Sequence, residues 1–321
     1  MGIRTLIIGL GQIGMEYDLH LDAVKHVYSH ARAFSQHPKF DLVGGVDSDE
    51  MRRQTFTQVY VCPAYHEIER ALEKGQPDLV VIAVPTQFHN QVLQRVLSQA
   101  QPKMILCEKP LSENLPEARS MVQACADKNI RLYVNYMRRS DPGVIEIKRR
   151  LLSGEINGPI KGVVWYSKGF FHNGSHFLNL MAYWLGPIQN SMVINRGRLW
   201  AQTDPEPDLQ MTFEHGEIVF LAAWEESFSH YTVELLSPSG RLRYEQEGQL
   251  IQWQKVKADP YFKGYTVLAT ENETIYSGMD RRLWHVAEQL ANGLEGREAQ
   301  LCTGVDALET LEKMKKILEE K

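Results

Sequence analysis

The sequence predicts an α/β chain: a doubly wound parallel sheet over residues 1–136, then an α+β half, residues 137–321, around a mostly antiparallel open sheet. Three observations carry that expectation. In the first 135 residues short apolar runs alternate with amphipathic segments, the signature of βαβ units and a parallel sheet. A glycine-rich turn, GLGQIG at residues 9–14, follows the first apolar run. After Arg139 the rhythm changes to longer strand-like stretches separated by turn dipeptides.

Ile3 to Ile8 is the first candidate strand, followed by Asp41 to Val46, Leu79 to Val84, Met104 to Cys107 and Ile130 to Asn135, with a weaker strand near Val59. Between them, His89 to Ala100 sets Val92, Val96 and Ala100 on one helical face, and Pro116 to Lys128 does the same with Ala118, Met121, Val122 and Cys125. A helix over Pro142 to Ser153 leads into strands at Gly162 to Ser167, Ser191 to Ile194, Leu209 to Phe213, Ile218 to Trp224, Tyr231 to Leu236 and Leu250 to Val256. His215-Gly216 and Ser239-Gly240 sit between close neighbours and favour antiparallel hairpins. Helical patterns over Arg281 to Asn292 and Val305 to Glu319 close the chain, and the last helix is expected to return toward the N-terminal domain.

Composition narrows the function classes. A chain of 321 residues suits two domains, and 43% hydrophobic with 23% charged residues is ordinary for globular proteins. A formal charge of -5 argues against nucleic acid or an anionic membrane as partner. Cys62, Cys107, Cys125 and Cys302 form no CxxC pair, so a reducing cytosol is the economical reading. There is no signal-peptide pattern near the first strand and no apolar run approaching the ~18 residues of a spanning helix. A soluble, cytoplasmic protein is expected.

Glycines 9, 11 and 14 follow a strand in the context where G-x-G-x-x-G has mechanical meaning. Gly9 allows the tight turn, Gly11 admits a pyrophosphate and Gly14 permits close packing of helix on strand, with Gln12 and Ile13 in the same loop. The competing reading is a glycine turn that only packs. Asp47, ending the second strand, tips the balance, because a carboxylate there can hydrogen-bond both ribose hydroxyls of an adenosine. It also repels a 2′-phosphate, so NAD is favoured over NADP. Asp47 lies 33 residues after Gly14 where about 20 is usual, so MEYDLHLDAVKHVYSHARAF must hold an insertion. Arg52 and Arg53 read as a solvated first helical turn, with a phosphate contact as the alternative.

AVPTQFH at 83–89 and CEKPLS at 107–112 each follow a predicted parallel strand, where ligands of doubly wound sheets bind. With GLGQIG, Asp47, NYMRR at 135–139 and HNGSHFLN at 172–179, the chain resembles the Gfo/Idh/MocA family of NAD(P)-dependent oxidoreductases, on a Rossmann domain plus an α+β domain. The resemblance implies that Pro85, Thr86, His89, Glu108 and Lys109 lie beside the coenzyme, with Lys109 between nicotinamide and substrate. Pro110 is associated in the family with a special backbone geometry, a cis peptide among the options. The family's second motif, Asp, three residues, His, two residues, Asp, reads here as His172, His176 and Asn179. His176 then matches the acid/base; His172 is a departure that removes a carboxylate but is kept with His176 as a candidate catalytic or substrate-binding residue, structural histidines being the alternative; and Asn179 can bind a hydroxyl without ionising. Arg138 matches a substrate-facing position, whereas Arg139 looks structural.

Several residues carry two readings. His172 and His176, four apart, could share a helix face as metal ligands, but Gly174 intervenes and no third ligand declares itself, so no metal is expected. His30, in the inserted stretch, reads as a surface histidine with reach to the site as the alternative. Tyr166, Phe170, Phe171 and Phe177 floor a sugar site or pack a core.

The expected function is hydride transfer between nicotinamide and a hydroxyl or keto carbon of a sugar, sugar derivative, nucleotide sugar or cyclitol. NAD-assisted glycoside cleavage with transient oxidation and a non-catalytic NAD-binding regulator are the alternatives. A homodimer or homotetramer through the open sheet face is expected.

Overall fold

The computed structural model describes residues 2–319. The chain forms two compact units, one holding residues up to Ser140 together with Asp280–Glu309, the other Asp141–Met279 together with the residues from Thr310 onward. Sequence alone put the boundary at 136 and gave 280–309 to the second domain. The structure returns that segment to the first unit for two reasons. Cys302–Thr303 adds an antiparallel strand to the first sheet, and Leu283, Val286, Ala287 and Leu290 bury in the same core as Ile7, Val81 and Leu106.

In the first unit, β1 (Ile3–Ile8), β2 (Phe40–Val46), β3 (Ala64–Tyr65), β4 (Leu79–Ile82), β5 (Met104–Cys107) and β6 (Arg131–Val134) form a parallel sheet in the order β3-β2-β1-β4-β5-β6. The order reverses between β1 and β4, so the loops after these strands border a crevice. Leu79–Ile82 and Met104–Cys107 are buried throughout, as strands covered on both faces must be. The helices are α1 (His30–Gln36), α2 (Glu50–Tyr60), α3 (Ile68–Gly75), α4 (His89–Gln99) and α5 (Leu115–Asp127). The weak strand expected near Val59 is a correction. Asp49 caps α2 by accepting from the amides of Met51 and Arg52, the helix runs through Val59, and the strand forms only at Ala64.

The glycine loop makes a single turn before the main helix begins. The amides of Met15 and Glu16 both reach the Gly11 carbonyl, and the Tyr17 amide reaches that of Gln12. The chain then departs and returns, and the amides of His30 and Ala31 bond the carbonyls of Ile13 and Gly14 at 3.0 and 2.9 Å. An unbroken helix would use residues 17 and 18 there. Helix α1 therefore continues the glycine turn after an excursion of 13 residues, and removing 13 from the 33 between Gly14 and Asp47 leaves the usual 20. Asp18, fully buried, closes the base of the excursion. Its carboxylate accepts from the amides of Tyr28 (2.6 Å) and Ser29 (2.8 Å) and from Ser29 Oγ (2.6 Å), with Arg32 Nε at 3.5 Å.

In the second unit, α6 (Pro142–Ser153) and α7 (Ser175–Leu185) belong with strands β7 (Ile160–Tyr166), β8 (Ile188–Asn195), β9 (Leu199–Trp200), β10 (Asp204–Pro205), β11 (Asp208–Phe213), β12 (Gly216–Ala222), β13 (Thr232–Ser237), β14 (Gly240–Glu245), β15 (Leu250–Ala258), β16 (Thr266–Leu268) and β17 (Glu273–Ile275). The large sheet runs β16-β15-β14-β13-β7-β12-β11-β8, with β17 also on β15. The two turn dipeptides join β11 to β12 and β13 to β14 as hairpins. β7 and β12 pair in parallel, the exception in an otherwise antiparallel sheet. One face buries Val164, Leu209, Met211, Phe220 and Leu242 with Phe177 and Trp184, while the other leaves Trp165, Met192 and Ile194 exposed. Helix α8 (Arg282–Leu294) lies in the first unit, and α9 (Gly304–Glu319) begins in the first and ends in the second. Among the described residues no helix is long and apolar enough to cross a membrane.

Replacing Asp18 by Ala leaves two amides and the Arg32 guanidinium without their buried acceptor. The expected cost is roughly 3 kcal/mol of unfolding free energy, the range for breaking one side of a buried ion pair, read from the urea midpoint.

Candidate functional site

The loops after β1, β2 and β4 border a cleft of ≈ 640 Å³ lined by Gly9, Gly11, Gln12, Ile13, Tyr17, Asp47, Arg52, Pro85 and Phe88. The glycines fit a dinucleotide by what a side chain would meet. At Gly9, φ is +101° and a Cβ would lie 2.6 Å from the Ala83 carbonyl. At Gly14 it would lie 2.0 Å from the Gly9 oxygen, whereas at Gly11 its nearest neighbour is the Arg52 guanidinium at 3.7 Å. Gly9 and Gly14 are therefore demanded by packing, and Gly11 keeps the loop surface clear for a phosphate.

Asp47 closes one side. Its Oδ2 accepts from the Leu10 amide and its Oδ1 from the Asp49 amide, each at 2.8 Å. Each oxygen keeps a lone pair for a ribose hydroxyl. The two arginines that sequence grouped together differ. Arg53 Nη1 donates to the carbonyls of Asp47 and Ser48 at 2.9 and 2.8 Å. Arg52 lines the cleft and donates from Nε to Glu16 Oε1 at 3.0 Å. Arg52 is partly desolvated, but Glu16, Asp47 and Asp49 outweigh this and raise its pKa. Glu16 and Tyr17, in the inserted stretch, carried no motif and were missed by sequence reasoning.

Beyond Pro85, Thr86 opens a 3₁₀ turn, Thr86–Phe88. His89 is fully buried, its ring nitrogens 2.9 Å from the Val84 carbonyl and 3.2 Å from that of Leu111. It braces the loops after β4 and β5 and is not among the residues lining the cleft.

After β5 come Glu108 and Lys109, with a cis peptide between Lys109 and Pro110. Glu108 Oε1 accepts from His30 Nε2 and from Asn135 Nδ2, both at 2.7 Å. Burial pushes its carboxyl up, but these hydrogen bonds and the Lys109 charge outweigh that and hold it below the usual range. His30 is thus not a surface residue: it is 1% exposed and stacks on Phe34. The splice of α1 onto the glycine turn carries it inward, which its position in an insertion concealed. Arg138 and Arg139 are buried in the turn Met137–Ser140, and Arg139 Nη1 donates to Asp306 at 2.9 Å.

In the second unit His172 lies in a π-helical turn, Gly169–Gly174, and His176 in α7. Such a turn breaks the i, i+4 alignment on which a shared face depends. His172 is exposed and stacks on Trp200 at 5.3 Å, while His176 is 8% exposed. Among the described residues no three His, Cys, Asp or Glu side chains gather as a metal site. Asp204 holds the turn, accepting from the amides of Phe171 (2.9 Å) and His172 (2.8 Å), and burial raises its carboxyl pKa. Asn179 is buried and donates to Thr310 Oγ1 at 3.0 Å. Tyr166, Phe170 and Phe177 are core residues, and Phe171 packs against that core.

Residues 3–136 match the GFO_IDH_MocA model, described as an oxidoreductase family with an NAD-binding Rossmann fold. Over these residues, which lie in the first unit, the chain is similar to the Gfo/Idh/MocA family. Proteins similar to this chain include one provisionally named UDP-kanosamine synthase oxidoreductase subunit from Amycolatopsis mediterranei, 29% identical over 60% of this chain and 55% of its own. Another is the scyllo-inositol 2-dehydrogenase (NAD(+)) of Bacillus subtilis, 28% identical over 52% of this chain and 44% of its own. The chain thus spans about half the length of the curated relatives it matches. The fold of this chain recurs in a crystal structure from Desulfitobacterium hafniense, provisionally described as an NADPH-dependent oxidoreductase, with a TM-score of 0.79 and 16% identity over 99% of this chain and 94% of that one.

Substituting Gly14 by Ala forces the loop open against Gly9. NADH affinity is expected to fall about tenfold or more, measured by nicotinamide fluorescence, because the loop backbone can no longer approach the pyrophosphate.

Proposed function

We propose that the chain is an NAD-dependent dehydrogenase that moves a hydride between nicotinamide and a hydroxyl or keto carbon of a polyhydroxylated small molecule. Cyclitols, sugars, sugar derivatives and nucleotide-linked sugars are the candidate substrates. The observation that carries the reading is the cleft in which the glycine loop and Asp47 are joined by the hydrogen bond that the Leu10 amide donates to Asp47. The two relatives, a scyllo-inositol 2-dehydrogenase and a protein provisionally named as the oxidoreductase subunit of a UDP-kanosamine synthase, support the substrate class. Asp47 favours NAD over NADP, since its charge opposes a 2′-phosphate.

The roles follow from the motifs. The coenzyme supplies the hydride chemistry, and the protein supplies binding, orientation and proton handling. Gly9, Gly11, Gln12, Ile13, Gly14, Asp47 and Pro85 bind the dinucleotide. Lys109 donates a hydrogen bond to the reacting oxygen and stabilises negative charge there. Glu108, fixed by His30 and Asn135, anchors the backbone from which Lys109 projects. His176 takes the alcohol proton during oxidation and returns it during reduction. His172 and Arg138 contact substrate hydroxyls. Two or four copies assemble through the exposed sheet face carrying Trp165, Met192 and Ile194.

Turnover over a panel of inositols, sugars and nucleotide sugars, followed as NADH at its absorbance band, tests the reading. Lys109→Ala is expected to lower kcat about 100-fold or more with NADH binding intact, and His176→Ala to remove the acid limb of the pH profile. Full kcat in Lys109→Ala would refute its role.

A further inference from the structure

Two arginines line the dinucleotide cleft, and both are held by carboxylates. Arg95 sits in a two-pronged contact with Glu69, Nε at 2.9 Å and Nη2 at 2.7 Å, with Glu67 at 3.6 Å. Arg52 is the cation beside Asp47, with Nη1 3.9 Å from Asp47 Oδ2. Its guanidinium lies over Gly11, where a phosphorylated ligand would be read. In Rossmann domains an arginine near the end of the second strand accommodates the 2′-phosphate of NADP. Arg53 does not serve, since it holds the Asp47 and Ser48 carbonyls. Arg52 is placed for that task and is already occupied.

The occupant comes from the end of the glycine turn, just before the excursion. Glu16 Oε1 accepts from Arg52 Nε at 3.0 Å, and Glu16 Oε2 accepts from Gln12 Nε2 at 3.1 Å. Its own amide is bonded to the Gly11 carbonyl, so the carboxylate starts from a fixed point on the loop. A 2′-phosphate, with about -1.5 to -2 charges, would bring a third anionic group to a guanidinium already shared by Glu16 and Asp47. Specificity is often built by such repulsion rather than by added attraction.

We propose that Glu16 is a coenzyme-selecting residue: by holding the Arg52 guanidinium it denies a 2′-phosphate its cation, so NADP(H) is rejected twice, directly by Asp47 and indirectly by Glu16. This rests on the dinucleotide reading above. It assigns the end of the glycine turn a part in coenzyme choice.

The test is a fluorescence titration of NADH and NADPH against wild type, Glu16→Gln and the double variant Glu16→Gln/Arg52→Gln. Glu16→Gln keeps one acceptor oxygen, for either Gln12 or Arg52, and removes the negative charge that holds the Arg52 guanidinium. It is expected to tighten NADPH about tenfold, with NADH changed by less than about threefold, and the double variant to lose that gain. If NADH binds and the NADPH to NADH ratio stays unchanged in Glu16→Gln, the proposal is wrong and the dinucleotide reading stands. A gain that persists without Arg52 overturns it as well. Binding of neither coenzyme to wild type removes the dinucleotide reading and the proposal together.

Discussion

The hydrogen bond from the Leu10 amide to Asp47 ties the glycine loop to the end of the second strand, and the cleft's chemistry depends on it. One carboxylate fixes the loop backbone, closes the turn at Asp49 and still offers lone pairs toward a ribose. Because the carboxylate proposed to meet the ribose also holds the loop backbone, the loop cannot drift from it. Gly9 and Gly14 reinforce the tie by leaving no room for a side chain between loop and sheet.

The 13-residue excursion is the feature that most sets this first unit apart from a plain doubly wound sheet. It leaves a helix after one turn and returns in register, with buried Asp18 closing its base and Val27 bonded to Asp280 and Leu283. A lone buried carboxylate would be costly, so two amides, a hydroxyl and Arg32 surround it. The return delivers His30 to Glu108, while Glu16, in the turn just before the excursion, reaches Arg52.

Much of this was legible in the sequence. The parallel strands read as apolar runs because both faces are covered, and the hairpins read through their turn dipeptides. What failed did so where long-range contacts override local pattern. Val59 looked like a strand because it is β-branched, but the Asp49 cap commits its segment to a helix. His30 looked exposed because nothing local reveals that α1 resumes a broken helix. Residues 280–309 looked like part of the second half because their strand is only two residues long and pairs far back in sequence. In the cleft, the glycines followed from their spacing and Asp47 from its place at the end of the second strand, whereas Glu16 and Tyr17 have no such rule and appear only through geometry. The π-turn at Gly169–Gly174 likewise has no signature that would have separated His172 from His176.

The most direct measurement of the central claim is an NADH titration of wild type and Asp47→Ala, followed by nicotinamide fluorescence. The structure predicts saturable binding to wild type and a loss of about tenfold or more in the variant, since the ribose contacts and the Leu10 tie go together. Equal affinity in both proteins, or no binding to either, would contradict the assignment of this cleft.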